Sequence, residues 1–139
     1  MTLLRFSHVA LSCKNPLAVE QFYTRHFGFK RARVIGEDVV FIKSGTSYLE
    51  LFKAEGEAPD PPAGGDGPHY RGWRHIAFQV DDLDAKLAEM GSDARVTLGP
   101  LDFSEVIPGW RTAWLADPEG NIVEVSQGYV DEANPPAPR

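Results

Sequence analysis

The sequence predicts an α+β chain built from two tandem β-α-β-β-β modules. Two observations predict it. The order strand, helix, strand, strand, strand can be read twice between residues 4 and 127. Residues also recur at matched places within that order. "SHVALSC" matches "RHIAFQV" and sets His8 against His75, while "GTSYLELF" matches "EGNIVEVS" and sets Glu50 against Glu124. Residues 1–139 then form one domain: module 1 at about 4–53, a linker at 54–72, module 2 at about 73–127 and a tail at 128–139. Neither module buries its sheet alone, so the two are expected to pack together.

The elements follow in order. "RFSHVALS" alternates as a half-buried strand does, and "PLAVEQFYTRHFGF" then reads as a helix over 16–29. Asn15 is its expected N-cap, Pro16 its first residue and Gly28 its stop. Leu17, Phe22 and Phe27 are its expected buried stripe. "ARVI", "DVVFIK" and "SYLELFK" read as three short strands, with Gly36 and "SGTS" between them. Residues 54–72, rich in Gly, Pro and acid, read as a solvated linker or a lid. "WRHIAFQV" is the next strand, and "DDLDAKLAEMG" a short helix capped by Asp81 or Asp82 and ended by Gly91. "ARVTLGP" is a strand, "LDFSEVIPG" a strand or loop, and "WRTAWLADPEGNIVEVSQ" a hairpin turning at "DPEGN". The last twelve residues read as a frayed tail.

Bulk properties exclude several classes of function. At 139 residues the chain has one domain's length, and a net charge of −6 denies it the basic surface that nucleic acid requires. No run of 18 apolar residues offers a membrane span, and the first residues lack the pattern of a signal peptide. Cys13 is the single cysteine, so no internal disulfide forms and a cytoplasmic setting is expected.

His8, Glu50, His75 and Glu124 each sit in a strand whose opposite face is apolar. The faces rich in Leu, Val and Ile are the seats of the helices. The other faces must then accommodate two histidines and two glutamates, and a dry core does not tolerate unpaired carboxylates. One divalent metal held by two imidazoles and two carboxylates satisfies all four and leaves one or two positions open. The alternative is a set of solvent-facing residues on a duplicated sheet. It does not explain why each copy keeps a histidine in its first strand and a glutamate in its last.

These stretches, with "FY...FGF" and "WLADPEGNIVEV", resemble the vicinal oxygen chelate superfamily, which includes glyoxalase I, methylmalonyl-CoA epimerase, extradiol dioxygenases and the bleomycin and fosfomycin resistance proteins. The resemblance covers roughly residues 5–127. It implies two sheets curved into an incomplete barrel around a metal, the glyoxalase-like fold, with His8, Glu50, His75 and Glu124 as the ligands. It implies one divalent ion per site, drawn from Zn, Ni, Co, Mn or Fe. The complete His-Glu-His-Glu set is most similar to the glyoxalase and epimerase branch. That branch implies an isomerase or lyase that transfers a proton next to a carbonyl through a metal-bound enediolate, with Glu124 as the base and Glu50 as the second candidate. Ser12 and Ala54 stand where bacterial glyoxalase I has an arginine and an asparagine that hold glutathione, so the small oxygen-bearing substrate is expected not to be a glutathione adduct. The alternatives are a sequestering protein of the bleomycin-resistance type and a ring-cleaving, dioxygenase-like metalloenzyme.

Other residues carry weaker signals. Arg111, Arg74 and Arg71 flank the site strands and are candidate contacts for an anionic substrate, and Trp114 is a candidate pocket wall against the substrate or else a core residue. His69 would touch substrate only if 54–72 closes as a lid. His26 suits a helix C-terminus, and Cys13 shares parity with Val9 and Leu11 and is expected to be packed. Eight short strands leave edges that need covering, so a homodimer is expected.

Overall fold

The structure is a computed structural model and describes residues 4–57 and 72–138. Most of the expected linker or lid, with His69 and Arg71, lies outside the described residues. The chain divides into two compact units, Met1–Ala63 with Ala116–Asn121 and Gly64–Leu115 with Ile122–Arg139.

The first unit contains β1 (His8–Cys13), α1 (Pro16–Phe27), β2 (Lys30–Ile35), β3 (Val39–Ser44) and β4 (Ser47–Lys53). Its sheet has the order β1-β4-β3-β2. The first strand lies parallel to the last, and the hairpin contacts β2–β3 and β3–β4 are antiparallel. Helix α1 begins as its sequence dictates: Asn15 Oδ1 accepts from Ala18 N at 3.2 Å, and Pro16 occupies the first turn. It ends at Gly28, whose φ of 69° takes the left-handed conformation that stops a helix.

The buried stripe of α1 differs from the expected one. It is Val19, Glu20, Phe22, Tyr23 and His26, while Leu17 stands 55% exposed. At 3.6 residues per turn Leu17 lies about 200° around from Val19, which places it on the solvent side. The stripe closes over Val40, Ile42, Leu49, Leu51 and Cys13, all buried. Each such aliphatic side chain contributes roughly 1.5–3 kcal/mol when fully buried. Glu20 is buried because the Arg31 guanidinium forks onto its carboxylate, with both N–O distances at 2.6 Å.

The second unit contains β5 (Ile76–Gln79), α2 (Leu83–Met90), a 3₁₀ turn (Gly91–Asp93), β6 (Val96–Asp102), β7 (Arg111–Ala116) and β8 (Ile122–Gln127). Its sheet order, β5-β8-β7-β6, repeats the first, again with its first and last strands parallel. Asp82 caps α2 by accepting from Ala85 N at 3.0 Å. Leu83, Met90, Ala113, Leu115, Val123 and Val125 are buried. The α+β class and the duplicated module are therefore both found. The segment "LDFSEVIPG" divides, with β6 running to Asp102 and turns following it. The tail is anchored where it begins: the Tyr129 ring meets Trp110 edge-on with centroids 5.9 Å apart, and the Tyr129 carbonyl accepts from Gln79 Nε2. No described helix is long and apolar enough to cross a membrane.

The turn "DPEGN" joins β7 to β8 and falls within the first unit. Asp117 is fully buried there. Its Oδ1 accepts from Glu119 N at 2.8 Å and Asn121 N at 2.9 Å, and its Oδ2 from the Tyr23 hydroxyl at 2.9 Å. The Glu119 carboxylate in turn accepts from Lys14 N.

Candidate metal centre

Both modules place a histidine and a glutamate by the same rule. In the first, His8 lies opposite Tyr48 and Ala10 opposite Glu50 across the parallel β1–β4 pair. Alternation then puts His8 and Glu50 on the face away from α1, two positions apart along the register. His8 Nε2 stands 3.2 Å from Glu50 Oε1, and the Ser7 hydroxyl lies 2.9 Å from Nδ1. In the second, Ala77 lies opposite Glu124 across β5–β8, and His75 sits one residue before β5 begins. His75 Nε2 stands 3.5 Å from Glu124 Oε1. The spacing His-x-Ala, with the alanine facing the glutamate, is therefore conserved between the two halves of one chain.

The structure brings these residues together as two pairs, His8 with Glu50 and His75 with Glu124. Among the described residues no three His, Cys, Asp or Glu side chains gather as a metal-holding group. The carboxylates are only 16% and 19% exposed at the side chain, so each has lost most of its water while facing one imidazole nitrogen. An imidazole Nε2 and a carboxylate oxygen are donor types that a divalent transition metal takes.

Each pair carries an aromatic ring at the same place. Phe41 lies opposite Glu50 in the β3–β4 register and meets the His8 ring edge-on, with centroids 5.9 Å apart. Trp114 meets the His75 ring edge-on at 6.5 Å. Phe41 escaped the sequence reading, although the "SGTS" hairpin, which closes with Ser44 opposite Ser47, sets Phe41 against Glu50 by counting back along each strand.

The second module adds an aromatic wall that the sequence reading also missed. Trp110 Nε1 donates to Ser126 Oγ at 3.3 Å, and Phe103 and Tyr129 flank Trp110 at 5.0 and 5.9 Å. The remaining candidates are placed as follows. Arg111 is clamped by Asp84 of α2, at 2.9 and 3.1 Å, on the helix side of the sheet rather than beside His75. Arg74 is exposed next to His75. Cys13 is 2% exposed, and burial, together with the nearby Glu119 and Asp117 charges, pushes its thiol up to about 11, so it is inert as a nucleophile.

A duplicated β-α-β-β-β module, each copy with a four-stranded mixed sheet of the same order, defines a class of small α+β proteins. This chain belongs to the Glyoxalase/Bleomycin resistance protein/Dioxygenase superfamily, whose model matches residues 5–125. It is similar to the lactoylglutathione lyase of Agrobacterium tumefaciens, at 26% identity and a TM-score of 0.60 over 89% of this chain and 93% of that one. A glyoxalase/dioxygenase from Nostoc punctiforme shares the fold at a TM-score of 0.70 and 20% identity, over 91% of this chain and 92% of that one. The uncharacterized protein YwkD of Bacillus subtilis (strain 168) is 26% identical over 125 residues, 86% of this chain and 93% of the relative.

Proposed function

We propose that the chain is a divalent-metal-dependent isomerase or lyase that transfers a proton next to a carbonyl of a small, oxygen-bearing substrate. The observation that supports this most is the repeated pair: in both modules a histidine Nε2 faces a glutamate Oε1 at the same register position. His8, Glu50, His75 and Glu124 are the residues that would hold the ion, and their two carboxylates match its charge. When bound, the metal supplies Lewis-acid stabilisation of negative charge developing on a substrate oxygen. Glu124 is the base that takes the proton, its carboxylate largely shielded from water and oriented by His75. Trp114 walls the substrate on the His75 side, and Arg74, next to His75 in the sequence, is the candidate contact for an anionic substrate.

The similarity to a lactoylglutathione lyase supports the reaction class. It does not extend to glutathione. Ser12 and Ala54 carry no charge to meet the carboxylates of a tripeptide, so methylglyoxal with glutathione is expected to turn over weakly or not at all. The exposed edge strand β2, with Val34 and Ile35 open to solvent, supports assembly as a homodimer, which light scattering at micromolar concentration tests.

Elemental analysis of protein purified without chelator tests the metal reading. About one divalent ion per chain is expected, lost in His75→Ala and in His8→Ala; undiminished content in both variants would refute it. Proton exchange α to the carbonyl of small 2-hydroxy ketones in deuterated water, followed by NMR, tests the chemistry. Glu124→Gln should suppress exchange more than it lowers metal content. Iron as the bound ion, with oxygen uptake on catechols, would move the assignment to a ring-cleaving dioxygenase.

The aromatic wall of Phe103, Trp110 and Tyr129 favours a second reading, capture of a planar ligand without chemistry. Tight binding of such a ligand by metal-free protein, with no exchange, would support that reading over the first.

A further inference from the structure

The face of the first sheet turned away from α1 carries more positive charge than the fold requires. Counting across the strands from His8 and Glu50 gives two neighbouring rows on that face. One runs His8, Tyr48, Lys43 and Lys30, and the other Glu50, Phe41 and Arg33. Lys43 and Lys30 lie directly opposite each other, and like charges in that position destabilise a strand pair. The chain has a net charge of −6, yet Glu50 is the one acid in these rows.

Arg33 reaches this face only through a bulge. Arg31 lies opposite Ile42 and Arg33 opposite Phe41, so Ala32 is an extra residue. Arg31 points to the helix side, where it holds Glu20, and Val34 lies opposite buried Val40 on that same side. A regular strand would send Arg33 after Arg31 toward the helix. The bulge turns it to the side of Glu50 instead, and bulges beside binding sites re-aim side chains in this way. Lys43 is directed along the same face. Its Nζ stands 5.1 Å from the centre of the Tyr48 ring, and Tyr48 lies opposite His8. Lys30, Arg33 and Lys43 are all exposed, and among the described residues none of them pairs with a carboxylate. Cations on an edge strand also discourage pairing with other chains. That accounts for charge on β2 but not for Lys43, which lies on the inner strand β3, nor for the bulge.

We propose that Lys30, Arg33 and Lys43 form an anion-recognition subsite that takes the carboxylate or phosphate group of a small ligand on the first module. Every residue involved belongs to the first unit. This rests on reading His8 and Glu50 as part of the functional site, and it narrows the substrate to an organic anion. The Arg33 guanidinium offers a planar fork to two oxygens of such a group, and the lysines add point charge. Adjacent strands lie about 4.8 Å apart, so the Arg33 backbone stands roughly 10 Å from that of Glu50, with Phe41 between them. The ligand then carries its charged group about one aromatic ring's width from the oxygens presented to His8 and Glu50, and its apolar middle rests on Phe41.

Calorimetry on the full chain tests this. The probes are 3-phenylpropanoate and phenyl phosphate, with 3-phenylpropanamide as the neutral counterpart, each titrated into zinc-loaded and into metal-free protein. Wild type should bind at least one anion tenfold or more tightly than the amide, and that affinity should fall as sodium chloride is added. The tighter anion identifies the group taken. The Arg33→Ala, Lys43→Ala protein should bind the anion tenfold or more weakly and the amide as wild type does. Arg33→Lys should lose less than Arg33→Ala. Lys30→Ala should weaken anion binding while its urea midpoint holds or rises, because the repulsion with Lys43 is relieved. Lys53→Ala removes the same charge from the helix side, where Lys53 lies opposite buried Cys13, and should keep anion affinity within twofold. An anion bound no better than the amide, equal anion affinity in wild type and the Arg33→Ala, Lys43→Ala protein, or an equal loss in Lys53→Ala overturns the proposal. Zinc content is measured on the same samples: anion binding without zinc uptake keeps the subsite and defeats the metal reading, and zinc uptake without anion binding does the reverse.

Discussion

The Tyr23 hydroxyl donates to Asp117 Oδ2 at 2.9 Å across 94 positions of the chain, and both groups are buried. Asp117 also gathers the Glu119 and Asn121 amides and the Asn121 side chain. A buried carboxylate is stable in the fold only when its lone pairs are filled in this way. Tyr23→Phe removes one donor of several and should cost about 1–2 kcal/mol. Asp117→Ala strands every donor at once and should cost more, about 3 kcal/mol or above. Urea denaturation of the two single variants and the double variant measures both, and the cycle should show coupling rather than additivity.

The same neighbourhood sets an alkaline limit. Burial and Asp117 raise the Tyr23 phenol far above its ordinary value, and burial, Glu119 and Asp117 push the Cys13 thiol up to about 11. Above about pH 9 the unfolded chain releases these protons while the folded chain keeps them. The unfolded state then binds fewer protons, so stability falls as pH rises. The decline should begin near pH 9, where the unfolded thiol ionises, with the Cys13 contribution gone by about pH 11 and that of Tyr23 following above the ordinary phenol range near 10. Urea midpoints across pH 7.5–11 should fall more steeply in wild type than in a Tyr23→Phe, Cys13→Ser protein.

Arg111 is tied to the helix side of its sheet by Asp84. Substrate binding through it would require that pair to break. Arg111→Ala should therefore leave metal content and ligand affinity unchanged, with a melting temperature close to wild type, since exposed ion pairs contribute little. A large loss of ligand affinity would return Arg111 to the site.

A close backbone approach holds the aromatic wall in place. Gly128 has φ +81°, and a Cβ there would collide with the Gly109 carbonyl oxygen. Gly36 has φ +60° with nothing within 4 Å of a Cβ. Gly36→Ala should cost only the conformational term, about 1 kcal/mol. Gly128→Ala should cost clearly more and should shift the Trp110 fluorescence, because Trp110 sits beside this contact.

The strands, both helices, their caps and the repeat were legible because each depends on neighbours in sequence: Asn15 before Pro16, Asp82 before Leu83, alternation around Glu50 and Glu124. The face on which each His and Glu lies followed from the same alternation. What was not legible depends on partners distant in the chain. Leu17 was expected in the stripe and Tyr23 was not, because helical phase is set by what the helix packs against. Arg111 looked available because nothing local marks Asp84 as its partner. The pairing of Trp110 with Ser126 and Tyr129, and the burial of Asp117 against Tyr23, exist only once the chain has closed.

Within each described sheet the strand that begins the module lies at the end of the order, paired with the strand that ends the module. During synthesis β1 emerges some forty residues before β4, and β5 a similar distance before β8, so each opening strand waits unpaired while the middle of its sheet assembles. The histidine travels at the start of the strand that waits, or one residue before it, and the glutamate on the strand that arrives. Each half therefore brings its histidine and glutamate together only in the step that completes its sheet, so neither pair exists before the surrounding strands are in place.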